Sequence, residues 1–92
     1  MRYALRPVLD MRASRDLKRD LQMILTIRSA CAVEAERVER LSTACIQVLI
    51  AFVAAAKREA LTVTLLRPSQ AFVRAFDEIG VPALSAYWKV ET

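Results

Sequence analysis

The side chains in this sequence with most obvious chemical potential are two cysteines, Cys31 and Cys45, and an adjacent hydroxyl pair, Ser42-Thr43. A cysteine becomes a nucleophile only as a thiolate, which needs a base or a cationic environment, and the chain contains no histidine. His-assisted thiol chemistry and zinc-finger ligand sets are thereby excluded, and no acidic pair stands at a catalytic spacing. The expectation is a protein with no catalytic residue, no metal and no cofactor. Both cysteines read as small buried hydrophobes in a reduced compartment. The hydroxyl pair carries more information, because it stands where a short apolar stretch runs into a strongly apolar helical pattern at residues 43–58. A hydroxyl at a helix start caps orphan N–H groups, and the same amides and dipole favour a phosphate placed there. Both readings of Ser42 and Thr43 stay open at the level of sequence.

The elements that must position this pair can be read from periodicity. Residues 8–11 form a short apolar run, and Ser14 is the expected N-cap of a first helix whose buried stripe is Leu17, Leu21, Ile24 and Leu25. Residues 31–38 alternate, with Cys31, Val33 and Ala35 on one side and Ala32, Glu34 and Glu36 on the other. That polar side predicts a sheet face left partly uncovered. The helix over 43–58 is apolar at Ala44, Cys45, Ile46, Val48, Leu49, Ile50, Phe52 and Val53. It has more apolar surface than one face of a two-layer domain hides, so either a partner interface or alanine-rich packing accounts for it. A strand over 61–66, Ser69 as a cap, a helix over 70–79 with Phe72, Val73, Phe76 and Ile79 inward, Gly80 as the stop and Pro82 beyond complete the pattern. Strands alternating with helices predict an α/β fold with a mostly parallel sheet of about four strands.

At 92 residues, 55% of them apolar, with one glycine and three prolines, the chain is expected to form a single domain spanning residues 1–92 and not a disordered tail. Its formal charge of +4 comes from Arg and Lys interleaved with Asp and Glu and without stacking aromatics, which argues against nucleic-acid binding. The apolar run over 44–56 is interrupted by Gln47 and too short to span a bilayer, and the first seven residues carry no secretory-type apolar region. No membrane insertion and a cytoplasmic location are expected. Tyr87 and Trp88 in the terminal segment are expected to fold back over the sheet or core, with an interface role and homodimerisation left open.

Over residues 38–81 the arrangement resembles the STAS family, the sulfate-transporter and anti-sigma-factor-antagonist domain, whose second helix is entered through an Asp-Ser/Thr-x-Gly turn. The matching turn is Ser42-Thr43-Ala44-Cys45, and Leu65-Leu66-Arg67-Pro68-Ser69 with Phe72 and Phe76 resembles the family's last strand and helix. Ser42 replaces the Asp and Cys45 the Gly, and the first βα unit is abbreviated, with only residues 1–5 before Pro7. The resemblance implies a bacterial, non-enzymatic signalling module of the antagonist type, docking on a kinase-type regulator, either an anti-sigma kinase or a chemotaxis histidine kinase. Thr43 stands at the position phosphorylated in that branch, where phosphate would break the complex by charge and bulk. The implied partner-binding residues are Ser42, Thr43, Ala44, Ile46 and Gln47. The alternative it implies is a cytoplasmic accessory subunit of an ABC-type lipid transporter, in which the turn Thr contacts the ATPase.

Overall fold

Short strands and amphipathic helices alternate along the chain, and the computed structural model describes residues 1–80 and 88–91. Strands β1 (Arg2–Ala4) and β2 (Val8–Leu9) precede α1 (Ala13–Ile27), then β3 (Cys31–Glu34) and β4 (Arg40–Leu41) precede α2 (Thr43–Arg58), β5 (Val63–Leu66), α3 (Gln70–Glu78) and β6 (Lys89–Glu91). Four strands form one fully parallel sheet in the order β1-β3-β5-β6, each crossover passing through a helix. A parallel sheet wound in one direction by right-handed crossovers carries its helices on one face. The register agrees: Tyr3, Val33, Leu65 and Val90 stand side by side across the sheet, with Val33 and Leu65 fully buried and Tyr3 and Val90 packed against the core. The opposite face holds Arg2, Glu34, Thr64 and Lys89. There Glu34 bonds Arg2 at 3.2 Å and Arg67 at 3.3 Å, and Arg67 also reaches Glu36 at 3.1 Å. Exposed pairs of this kind contribute about 0–1 kcal/mol each, so the apolar layer under the helices carries the stability.

The alternating stretch expected over 31–38 pairs only as far as Glu34. Ala35 donates its N–H to the Leu66 carbonyl and Val38 donates back to Ala35, which turns the chain away while keeping both side chains buried. Past this turn the chain forms a second, two-stranded parallel ribbon, β2 with β4, in which Val8 stands opposite Arg40 and Leu9 opposite Leu41. Its partners are too short to show a period, which is why alternation did not reveal it. Ser14 is likewise not the cap of α1. The chain enters the helix at Arg12, Asp10 Oδ1 accepts from the Ala13 N–H at 3.1 Å, and the Ser14 hydroxyl donates to the Met11 carbonyl from inside the first turn.

The strand expected over 61–66 begins at Val63, and the last helix ends at Glu78 with Ile79 as its cap and 36% exposed. Trp88 folds back as expected: it is buried, with its ring 5.7 Å from Phe72 and 6.0 Å from Phe76, while those two rings lie 4.9 Å apart. Tyr87 and Pro82 lie outside the described residues. Elsewhere, Tyr3 ties β1 to α1 by donating its hydroxyl to Asp20 at 2.8 Å, and burial together with that bond pushes the phenol well above its ordinary range.

A chain with one glycine must close its helices with other residues. After α2, Ala60 sits at φ +57° and donates to the Lys57 carbonyl while Leu61 donates to Ala56, the paired bonds of a Schellman motif in which glycine normally occupies the left-handed position. Gly80 does this for α3 at φ +76°. A left-handed alanine is strained by about 1–2 kcal/mol, partly offset by the greater freedom of glycine in the unfolded chain. Ala60→Gly is therefore expected to raise unfolding free energy by about 0.5–1 kcal/mol in urea titrations followed by Trp88 fluorescence. In the same assay Phe76→Ala is expected to cost about 3–5 kcal/mol, since it removes one of three mutually packed, buried rings.

Candidate functional site

Strand β4 delivers the chain to Ser42 in an extended conformation, ψ 158°, and α2 begins at the next residue. The Ser42 N–H donates to the Leu9 carbonyl at 2.8 Å, its hydroxyl oxygen accepts from the Cys45 N–H at 3.2 Å, and its carbonyl accepts from Ile46 at 3.0 Å. Ser42 is thus the N-cap of α2, held from outside by β2. The Cys45 thiol donates to the Asp10 carbonyl at 3.3 Å, so the residue standing where the STAS turn has glycine ties the first turn of α2 to the start of α1. Burial raises the pKa of this thiol, only partly opposed by the bond with Ser42, and burial does the same for Cys31. Both stay protonated at neutral pH, which disfavours nucleophilic chemistry.

The five residues expected at a partner surface divide between inside and outside. Thr43 and Gln47 are exposed one turn apart, Ser42 and Ala44 are half-buried between them, and Ile46 is 1% exposed in the core cluster. The outer surface of the turn is therefore Thr43, Ala44 and Gln47, with Ile46 anchoring the helix from beneath. The apolar excess of α2 also divides. Cys45, Ile46, Leu49, Phe52 and Val53 enter the core, Ala44, Val48 and Ile50 are half-buried, and the exposed apolar position on the helix is Ala51. Most of that surface is satisfied within the fold, and what remains outside is small.

Beside Ser42, a groove of about 480 Å³ runs between β4 and α3, with Leu41, Ala71, Arg74 and Ala75 along it. Met11 also lines it and is 75% exposed, the most exposed large apolar side chain among the described residues. In sequence, Met11 and Asp10 fall within the apolar run over 8–11, and neither of them was assigned to the site. The available signal was Asp10 itself, a preferred cap residue three positions before Ala13. Among the described residues no three Cys, Asp or Glu converge as a metal would require. No helix among them is long and apolar enough to cross a membrane.

A parallel sheet with helices wound on one face, and a hydroxyl-bearing turn opening the second helix at the carboxyl end of the strands, is the architecture of a STAS domain. The chain matches the family described as "Mlab, STAS domain" over residues 2–85, and it belongs to that family. The match extends well beyond the half of the chain in which the resemblance is close. STAS domains are generally non-enzymatic modules that mediate protein–protein interactions, in a family covering anti-sigma-factor antagonists and transporter-associated domains. No curated protein and no solved structure matches the chain significantly.

The capping role of the turn can be measured by stability. Ser42→Ala is expected to cost about 1 kcal/mol in urea unfolding, through loss of the cap. The buried thiols add a pH dependence whose sign is set by their raised pKa values. Below the ordinary thiol value of 9.0 both folded and unfolded chains hold the protons. Above it the unfolded chain releases them first, so stability falls with rising pH until the folded thiols also ionise. The urea midpoint is expected to decline above pH 9.0, and less so in a Cys31→Ala, Cys45→Ala variant. An equal decline in both proteins would assign the effect to other groups, Tyr3 first.

Proposed function

We propose that this chain is a non-enzymatic docking subunit that folds as one domain and binds a nucleotide-binding transporter ATPase on the cytoplasmic side of a membrane. The docking surface is the outer side of the β4–α2 turn and of the first turns of α2: Thr43, Ala44 and Gln47, with Met11 in the groove that Ser42 borders. In this reading Thr43 is a contact residue and not a phosphate acceptor. The observation that carries it is the match to the family described as "Mlab, STAS domain" over nearly the whole chain; short members of this kind resemble cytoplasmic subunits of lipid-transport ATPases as well as proteins encoded with chemotaxis kinases. The geometry supports the same choice. The acidic residue that precedes the phosphorylated hydroxyl in the antagonist turn is here Ser42, whose oxygen is spent on the helix cap. The exposed Met11 gives the surface an apolar element of the kind that anchors protein interfaces.

The second reading is the antagonist type, docking on a kinase-type regulator and switched by phosphate at Thr43. One observation favours it: the Thr43 side chain is exposed on the first turn of a helix, where backbone amides and dipole stabilise an anion.

Affinity capture from the source cell with wild type, Thr43→Ala and Thr43→Glu as baits, read by mass spectrometry together with intact mass of each bait, separates the two. Recovery of a transporter ATPase, unphosphorylated bait, and at least about tenfold weaker capture by Thr43→Glu, ~1.4 kcal/mol, are the expected results. A kinase-type partner kept by wild type and Thr43→Ala but lost with Thr43→Glu, with phosphate on the wild-type bait, would replace the first reading by the second.

A further inference from the structure

Helices α1 and α2 pack side by side, and between their outer surfaces lies a groove of about 390 Å³. Leu21, Leu25, Val48 and Phe52 form its floor, and Ala51 and Ala55, one turn apart on α2, leave one wall low. Gln47 opens it and Arg58 closes it, a length of about 16 Å along α2 at 1.5 Å per residue, or roughly three helical turns. The charged side chains lining it are Lys18 and Arg58, both cationic, and neither forms an ion pair among the described residues. The acids of α1 are held on its other flank, where Asp16 meets Arg6 and Arg19, and Asp20 meets Tyr3 and Arg19. Glu59, just past α2, is engaged by Arg28 at 2.7 Å.

The geometry points to this groove as the seat of an acidic amphipathic helix supplied by the partner protein. A third helix laid along two others places an apolar stripe on the floor, and low alanine walls let its backbone come close. Carboxylates on its flanks would meet Lys18 and Arg58, which no acid among the described residues engages. The groove is also continuous with the docking turn, because Gln47 belongs to both. One binding partner would thus cover the turn with its body and the groove with a helix. The inference rests on the reading of the chain as a docking module, but the residues that carry it are distinct from Thr43.

The test is an NMR titration of the full chain with two synthetic peptides of about 16 residues, long enough to form helix on binding. Both carry the same leucines at i, i+3, i+4 and i+7, and their flanks are glutamate in one and lysine in the other. The glutamate peptide is expected to bind at least tenfold more tightly, with shifts centred on Leu25, Val48, Ala51 and Ala55. A Lys18→Glu, Arg58→Glu variant is expected to reverse the preference, and Ala51→Trp to weaken both peptides at least tenfold, the amide spectrum of each variant showing that the fold is kept. Thr43→Glu is expected to leave the titration unchanged. Equal affinity for the two peptides, a preference that survives charge reversal, or shifts centred elsewhere would overturn the inference. So would binding of oleate at these residues in the absence of peptide binding, which would make the groove a lipid site. Failure here, with ATPase capture still dependent on Thr43, would remove the groove and leave the docking turn standing.

Discussion

The pairing of β2 with β4, two residues on each side, decides where both long helices begin. Leu9 accepts from Ser42 and so fixes the cap of α2, while the next residue, Asp10, caps α1 through its carboxylate and receives the Cys45 thiol through its carbonyl. Each bond is modest, about 0.5–1.5 kcal/mol net, yet together they bring two helix N-termini to the same end of the sheet. That end is the carboxyl end of the parallel strands, where open α/β sheets generally present their binding sites. The exposed turn exists because this ribbon holds it out.

Winding the helices on one face has a cost and a use. The far face of the sheet carries Arg2, Glu34, Thr64, Lys89 and the Arg67 network, with Leu66 the buried apolar residue beside Glu34, so most of the apolar core lies in one layer. That single layer must hold Phe72, Phe76 and Trp88 on one side and the α1–α2 contact on the other. The scarcity of glycine adds a second constraint, met at Arg28 and Ala60 by left-handed backbone in residues that adopt it only under the grip of the surrounding bonds. The family's glycine is absent from the turn for a similar local reason: Cys45 is helical, buried and bonded to Asp10, a position with no need of glycine's backbone freedom.

A surface that binds other proteins needs accessible groups on a rigid frame, and α2 provides both. Its inner side is locked by Ile46, Leu49, Phe52 and Val53, while Thr43, Gln47 and Ala51 stand outward at one-turn spacing. The same helix therefore belongs to the core along one side and to solvent, where the proposed docking surface lies, along the other.

Helix α2 was legible to the residue, residues 43–58 with Ser42 before them, because sixteen residues of apolar pattern behind a capping hydroxyl leave little ambiguity. The α/β class, the parallel sheet, the second and third helices and the burial of Trp88 were readable for the same reason: period and punctuation are local properties. The end of β3 at Glu34 and the β2–β4 ribbon were not, because each depends on hydrogen bonds to residues far along the chain, whereas the Asp10 bond to Ala13 is local and was missed because Ser14 offered a competing cap. Ile46 shows the same limit at the site: it stands between buried Cys45 and exposed Gln47, and only the packing of α2 on the core decides that it turns inward. Sequence by itself determined which segments become helix or strand and that a hydroxyl pair opens α2, since backbone propensity and side-chain periodicity act over a few residues. Tertiary structure alone decided which side of that helix meets solvent and which charges border its groove, since burial and electrostatic neighbours are set by segments that meet only in the folded chain.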